Sequence, residues 1–184
     1  MKDDLEKLFS AIDSVPWPRI EHAFGPATDV PDLIRSLTSP DVNVRNDAWS
    51  KLHGNLWHQG TIYEATGYAV PVFLELLRQP AMPGKRDVLA FLALLFTGRS
   101  YWDVHQHTAL LQSEVRKPGF QQRLEQELAW VQATKDAVVK GRETYLGILE
   151  GDNAGVKIAA AYLLGLIGAS DFDTLEEIIK STGK

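Results

Sequence analysis

Apolar residues recur at helical spacing along most of this chain, and the first such stripe follows two aspartates that can accept hydrogen bonds from the free amides of a first turn. The stripe consists of Leu5, Leu8, Phe9 and Ile12. This spacing predicts an amphipathic leading helix. Two prolines in SVPWPRI and the following Gly-Pro pair then interrupt the helical pattern, so residues 14–28 are predicted to form an irregular connector pinned by Trp17 and Phe24.

An internal repeat follows the connector. The segments VPDLIRSLTSP and VPVFLELLRQP, which begin at Val30 and Val70, share their apolar positions and both of their prolines. A proline near the start fits a first helical turn, where its missing amide costs nothing, and the second proline ends the helix. Each copy is followed by another helical stripe, and a third copy lies near the end of the chain, where Ala160 and Leu164 match Ala48 and Leu52. Three helix pairs are therefore predicted.

These patterns predict one all-α domain over residues 1–184, since strand signals are slight. Its predicted parts are an N-terminal capping helix and connector (1–28), repeats one and two (29–98), an insertion with a long helix (99–141), and a third repeat with a C-terminal helix (142–184). The short C-terminal helix would carry Leu175, Ile178 and Ile179 behind a cap at Ser170 or Asp171.

The third copy, DNAGVKIAAAYLLGLIG at 152–168, resembles the second helix of HEAT repeats of the phycobilin-lyase type, which reads V-[RK]-x-x-A-A-x-x-L-G-x-[IL]-G. The first copy matches less fully, and the middle copy retains only Arg86 and an apolar stripe. The resemblance implies a short right-handed α-solenoid of about three hairpins, in which small alanines let helices approach and Gly165 or Gly168 ends the last second helix. It also implies a polar ladder between adjacent repeats, formed by Asp41, Arg45, Arg86, Asp152 and Lys157.

Charge and composition narrow the classes of partner. The formal charge of −5 disfavours nucleic acid, because most of the surface would repel a phosphate backbone. The absence of cysteine removes disulfides, thiolate nucleophiles and cysteine-ligated metals. The chain starts with acidic residues where a secretory signal would be basic, and its apolar runs are shorter than a membrane span, so a cytoplasmic protein without membrane contact is expected.

Candidate catalytic and metal-binding residues each have a simpler explanation. Asp103, His105 and His107 alternate as metal ligands do on a strand, but they fall in a predicted loop leading into a helix, where solvent or partner contact is favoured. Thr61 and Glu64 have the spacing of a capping box behind Gly60, which is favoured over a catalytic role for Glu64. No catalytic triad order or phosphate loop occurs, so no catalytic residue, cofactor or metal is predicted and the chain is not expected to be an enzyme.

Two polar-aromatic segments depart from the repeat and are predicted to bind a protein or peptide. The first comprises Trp57, His58, Gln59 and Tyr63, and the second comprises Tyr101, Trp102, Asp103, His105 and His107. Both follow a second helix of a hairpin, so stacking would bring them to one edge of the solenoid about 10 Å apart. The alternative is that these aromatic rings only fasten the insertion to the solenoid.

The leading interpretation of function is a non-enzymatic protein-interaction module that docks its partner on the concave surface or beside the insertion. Two alternatives stay open. One is an immunity-type protein that neutralises a toxin, which suits a small acidic repeat protein. The other is a HEAT-like enzyme, either a DNA alkylbase glycosylase, whose need for a basic concave face the net charge disfavours, or a bilin lyase subunit.

Overall fold

The computed structural model describes residues 2–182, and side chains within residues 6–170. The described chain is built almost entirely from helices, which confirms the all-α prediction. The helices are α1 Lys2–Asp13, α2 Val30–Ser36, α3 Val42–Leu56, α4 Glu64–Arg78, α5 Lys85–Thr97, α6 Tyr101–His105, α7 Gln112–Val115, α8 Phe120–Val139, α9 Arg142–Leu149 and α10 Ala154–Thr182. Short 3₁₀ turns occupy Trp17–Arg19, His58–Gly60 and Ala109–Leu111.

The three predicted helix pairs are present as packed hairpins. Helix α2 packs on α3, α4 on α5, and α9 on α10. Helix α10 also lies against α5, so the second helices of the last two hairpins are neighbours although an insertion separates them in sequence. None of the described helices is both long and apolar enough to cross a lipid bilayer.

An aromatic cluster joins the first hairpin to the second. Trp49 of α3 stacks on Phe73 of α4, with ring centroids 6.1 Å apart, and meets Phe91 of α5 edge-on at 5.4 Å. Phe73 and Phe91 also pack edge-on at 5.5 Å. Such pairs contribute about 0.5–1.5 kcal/mol each beyond their area burial. Trp49 therefore packs between the first two hairpins.

The insertion lies against the second hairpin, where its long helix α8 crosses α4 and α5. The approach is close at Gly67 of α4, where an added Cβ would lie 3.4 Å from the hydroxyl of Thr134. Thr134 is fully buried, and its hydroxyl donates to the Trp130 carbonyl at 2.8 Å. The insertion therefore covers the first helix of the hairpin and leaves the α5–α10 surface uncovered.

The start of α4 differs from the prediction in two respects. The helix begins at Glu64, so Pro71 lies inside it instead of in its first turn. The predicted Thr61–Glu64 capping box is also wrong, because Thr61 bridges to Arg99 and Glu64 is already helical. The hydroxyl of Thr66 fixes this start instead, since it accepts from the Tyr63 amide at 3.1 Å and donates to the Leu56 carbonyl at 2.8 Å.

The connector after α1 is more ordered than predicted. Its strands β1 Glu21–His22 and β2 Gly25–Pro26 form a small antiparallel hairpin, in which Gly25 takes a φ of +117°. Trp17 is buried as predicted, and its indole N–H donates to the Ile12 carbonyl at 2.8 Å. The prediction that Phe24 pins the connector is wrong, because the side chain is 68% exposed at the hairpin turn.

The second helix of the third copy and the C-terminal helix were predicted as two helices, but they form the single helix α10. Gly165 and Gly168 lie within α10, which continues through Ser170 and Asp171, so neither the predicted helix end nor the predicted C-terminal cap exists. The buried face runs through Ala160, Leu163 and Ile167, whereas Ala161 is exposed, because it lies one position and about 100° further around the helix. The side chains of Leu5, Leu175, Ile178 and Ile179 lie outside the described set.

Candidate functional site

The structure brings together the two segments that were predicted to bind a partner. The Arg99 amide donates to the Gly60 carbonyl and the Ile62 amide to the Arg99 carbonyl, each at 2.9 Å. These bonds form a parallel bridge between Thr61 and Arg99. Bridged backbones lie about 5 Å apart, so residues 57–63 and 99–107 are closer than the stacking of hairpins alone predicts.

In the first segment the backbone is unusual and the rings are half-buried. Gln59 is exposed in the left-handed region, at φ 52°, which is uncommon for a residue with a side chain. The indole nitrogen of Trp57 is buried and has no hydrogen-bond partner among the described residues. His58 meets Phe24 edge-on at 5.3 Å. Burial raises the pKa of Tyr63, a hydrogen bond with Thr61 offsets part of this rise, and the charge of Glu127 adds to it.

Glu127 of α8 connects two parts of the insertion at this edge, and sequence reasoning missed it. Its carboxylate accepts from the Ser100 hydroxyl at 2.7 Å and from the Trp102 amide at 3.0 Å. The Ser100 hydroxyl in turn accepts from the Asp103 amide at 3.0 Å, which caps α6. Nothing in the sequence near residue 127 indicates this contact, because the groups it binds are remote along the chain.

The rings of the second segment pack mainly on the insertion itself. Trp102 meets Phe120 edge-on at 5.2 Å, and the Arg123 guanidinium lies 5.6 Å from the Trp102 ring. Tyr101 stacks on His105 at 4.3 Å, and the His105 Nδ1–H donates to the Tyr101 carbonyl at 2.8 Å. These contacts hold α6 to α8 within the insertion, so the alternative in which the rings fasten the insertion to the solenoid stays a prediction.

Asp103 and His107 are exposed near this segment. Across residues 6–170, no group of three or more His, Asp and Glu side chains is arranged to hold a metal ion.

A buried histidine beside Phe24 also escaped the sequence analysis. Nδ1 of His22 accepts from the Phe24 amide at 3.0 Å, so Nε2 is the nitrogen that donates to Asp29, also at 3.0 Å. The second oxygen of Asp29 accepts from the Asn55 side chain at 2.8 Å. Nδ1 therefore fixes the turn of the β-hairpin, and Nε2 links the hairpin through Asp29 to Asn55 of α3.

A second candidate surface lies between α5 and α10, in a groove of about 600 Å³. Its lining combines small alanines with larger apolar side chains and Arg86, and it includes Ala90, Leu94 and Ala159. Ile158 and Tyr162, one turn apart on α10, are 70% and 62% exposed and form the rim of this groove, which is an unusual exposure for large apolar side chains.

The α5–α10 groove continues into a basic groove of about 690 Å³ at the hairpin turns, because Arg86 and Gly155 line both. The charged residues that line the basic groove are Arg78, Lys85, Arg86 and Asp152. Arg78 also pairs with Glu75. Burial lowers the pKa of Lys85.

Part of the predicted ladder forms bonds of another kind. Arg45 donates to the carbonyls of Ser39 and Pro40, at 2.7 and 2.9 Å, and Asp41 accepts from the Asn43 amide at 2.8 Å. These bonds stay within the first hairpin. Arg86 and Asp152 line one groove and Lys157 is half-buried nearby on α10, so a ladder across these three residues stays a prediction.

The chain matches no protein-family model, no curated protein and no solved structure.

Proposed function

We propose that this chain is a non-catalytic interaction module. Its three hairpins would stack as a right-handed HEAT-like solenoid and bind a protein or peptide along the α5–α10 groove. The observation that carries the proposal is the pair of exposed side chains on the rim, Ile158 and Tyr162. Exposed apolar side chains that lie next to each other, as these two do one helical turn apart on α10, are typical of interaction sites.

The arrangement of the last two hairpins supports the stacking. Arg86 lies near the start of α5 and approaches Gly155 near the start of α10, where its Cδ is 3.9 Å from a Cβ built on that glycine. Further along both helices, Leu94 and Tyr162 line the same groove. Lining positions thus advance in the same direction on α5 and α10, as the second helices of consecutive solenoid repeats do.

The groove is accessible because the insertion packs elsewhere. Helix α8 packs on α4 and α5, and the residues that line the α5–α10 groove belong to α5 and α10 and not to the insertion. Burying Ile158 and Tyr162 against a partner would gain about 1.5–3 kcal/mol for each side chain that becomes fully buried. An aromatic residue near the centre of such a patch is a typical hot spot.

The edge formed by residues 57–63 and 99–107 is a second place where the partner could make contact. Phe24 and Gln59 are exposed there, and the buried Trp57 nitrogen lacks a hydrogen-bond acceptor within the described chain. Most of its other rings already pack internally. We therefore assign the main contact to the groove and a supporting contact to this edge.

The proposal is tested by affinity purification from the cells in which the chain is native, followed by quantitative mass spectrometry. The double variant Ile158→Gln and Tyr162→Gln removes the apolar rim without adding charge, and it should lose a specific partner. The control is Leu110→Gln, which changes an 89% exposed leucine in the insertion and should retain that partner. Unchanged capture by the double variant, with an unchanged melting temperature, would contradict the proposal.

A further inference from the structure

The α5–α10 groove and the basic groove form one continuous surface with an apolar part and a cationic end. We infer that the partner presents an amphipathic helix whose apolar stripe lies along α5 and α10 and whose carboxylates, grouped at one end, meet Arg78, Lys85 and Arg86. This inference rests on the proposed function and names the chemistry of the partner.

The apolar part fits a helix because small side chains line it between larger apolar ones. Ala93 is buried and Ala159 is half-buried in the groove, whereas Ile158 and Tyr162 are exposed on its rim. Small side chains let the axis of a third helix approach α5 and α10 closely. A helix that binds in such a groove makes its contacts through apolar residues at positions i, i+3, i+4 and i+7. From Arg86 to Thr97, helix α5 offers about three turns, or ~16 Å, of this surface.

The cationic end of the groove favours a partner that is negatively charged where it meets this end. Arg78, Lys85 and Arg86 line it against the single carboxylate of Asp152, so positive charge is in excess there although the whole chain carries −5. Glu75 neutralises part of Arg78, which leaves Lys85 and Arg86 as the main contributors. The partly desolvated position of Lys85 makes a carboxylate partner more favourable than it would be on an open surface.

A peptide fits this combination better than a nucleic acid does. A phosphate backbone needs a basic track along its length, whereas here the cations are grouped at one end and the rest of the groove is apolar. A second copy of this chain is also less suitable, because a two-fold contact through this surface would place each cationic end against an apolar rim or against the other cationic end.

The test uses the full chain and synthetic helical peptides of about 16 residues, labelled with a fluorophore and titrated by fluorescence anisotropy. Each peptide has a leucine stripe and three variable residues at one end, which are Glu, Gln or Lys, and each is made with the variable end at either terminus. Near 0.15 M salt, the Glu peptide should bind about tenfold more tightly than the Lys peptide, and added salt should reduce the difference.

Two double variants separate the contributions of charge and apolar contact. Lys85→Gln with Arg86→Gln should weaken the Glu peptide about fivefold and leave the Gln peptide unchanged. The matched control, Arg116→Gln with Lys140→Gln, removes two exposed cations outside the groove and should change neither affinity. Ile158→Gln with Tyr162→Gln should weaken every peptide.

Each contrary result has a distinct meaning. Equal binding of the Glu, Gln and Lys peptides would overturn the inference while leaving the proposed function standing, whereas full binding by the Ile158→Gln and Tyr162→Gln variant would overturn both. Absence of Glu-peptide binding at ~1 mM, the weak end of specific recognition, would also overturn the inference. If a single-stranded oligonucleotide bound the chain more tightly than the Glu peptide does, the partner would be a nucleic acid instead of a peptide. A dimer in sedimentation that Ile158→Gln dissociates would make a second copy the occupant.

Discussion

The edge at residues 57–63 and 99–107 and the groove between α5 and α10 differ in how their side chains are used. The edge has the richer chemistry, yet Trp102 packs on Phe120 and Arg123, and Tyr101 stacks on His105. The groove is built from ordinary repeat positions, yet Ile158 and Tyr162 are left exposed. Aromatic composition thus identified residues that hold parts of the insertion to one another, while the exposed apolar surface lies between two helices of the hairpins.

The largest expected effect separates the buried cluster from the exposed rim. Phe73 is fully buried between Trp49 and Phe91, so Phe73→Ala should lower the free energy of unfolding by about 3–5 kcal/mol. Tyr162→Ala should change it by less than about 0.5 kcal/mol, because the ring is mostly in solvent. Chemical denaturation measures both. A large loss on Tyr162→Ala would show that the ring supports the fold instead of awaiting a partner.

A smaller effect tests which face of α10 is buried. Ala160 is fully buried, so Ala160→Leu should overpack its contact and cost about 1–3 kcal/mol. Ala161→Leu places the same side chain on the exposed face next to it and should cost less than about 0.5 kcal/mol. Equal melting temperatures for the two variants would contradict the register of α10 against α5.

The helical pattern could be read from the sequence because it depends on local periodicity, and so could the pairing of helices within each hairpin. The start of α4 could not. A proline inside a helix costs about 3 kcal/mol, which favours placing Pro71 in a first turn, but burial of Ala65, Ala69 and Val70 extends the helix upstream. Gly165 and Gly168 were misjudged for the same reason, since packing of α10 on α5 and α9 outweighs their poor helix propensity.

The candidate sites show where sequence reasoning stops. That the two polar-aromatic segments would meet followed from the order of the hairpins, and the backbone bridge at Thr61 and Arg99 brings them together. The Glu127 contacts join residues 25 and 27 positions apart within the insertion, and the α5–α10 groove joins two helices that the insertion separates. Exposure of Tyr162 could not be predicted either, because its position in the repeat does not show what will cover it.

An effect of similar size is expected for the Glu127 carboxylate, which holds α6 to α8. Glu127→Ala removes the acceptor for the Ser100 hydroxyl and the Trp102 amide, so it should destabilise the fold by about 1–3 kcal/mol. Glu125→Ala is the matched control on the same helix, because Glu125 is exposed and accepts only a helix-surface bond from Gln121 among the described contacts. If the edge serves only as a fastening, Glu127→Ala should leave partner capture intact at temperatures where the variant is folded. Loss of capture from the folded variant would make the edge part of the interface.

The smallest expected effect is a pH dependence of the free energy of unfolding, and it comes from a histidine in the first hairpin. His53 packs on Phe91 with centroids 4.5 Å apart, and burial lowers its pKa from the ordinary value of 6.5. The unfolded chain then binds a proton more readily than the folded chain, so stability should fall as the pH drops from about 6.5 through the lowered pKa of the folded state. Denaturation of wild type and His53→Gln at pH 7.5 and 5.5 isolates this contribution. An equal acid response of the two chains would show that His53 does not contribute.

The most direct test of the account is site-specific photo-crosslinking in the native cells. A photoreactive phenylalanine analogue replaces Tyr162 in the groove in one variant and Tyr101 at the edge in another, two tyrosines that are both exposed in the chain alone. The account predicts a discrete crosslinked partner from position 162, and from position 101 either none or a weaker crosslink to the same partner. A strong crosslink from position 101 with none from position 162 would contradict it.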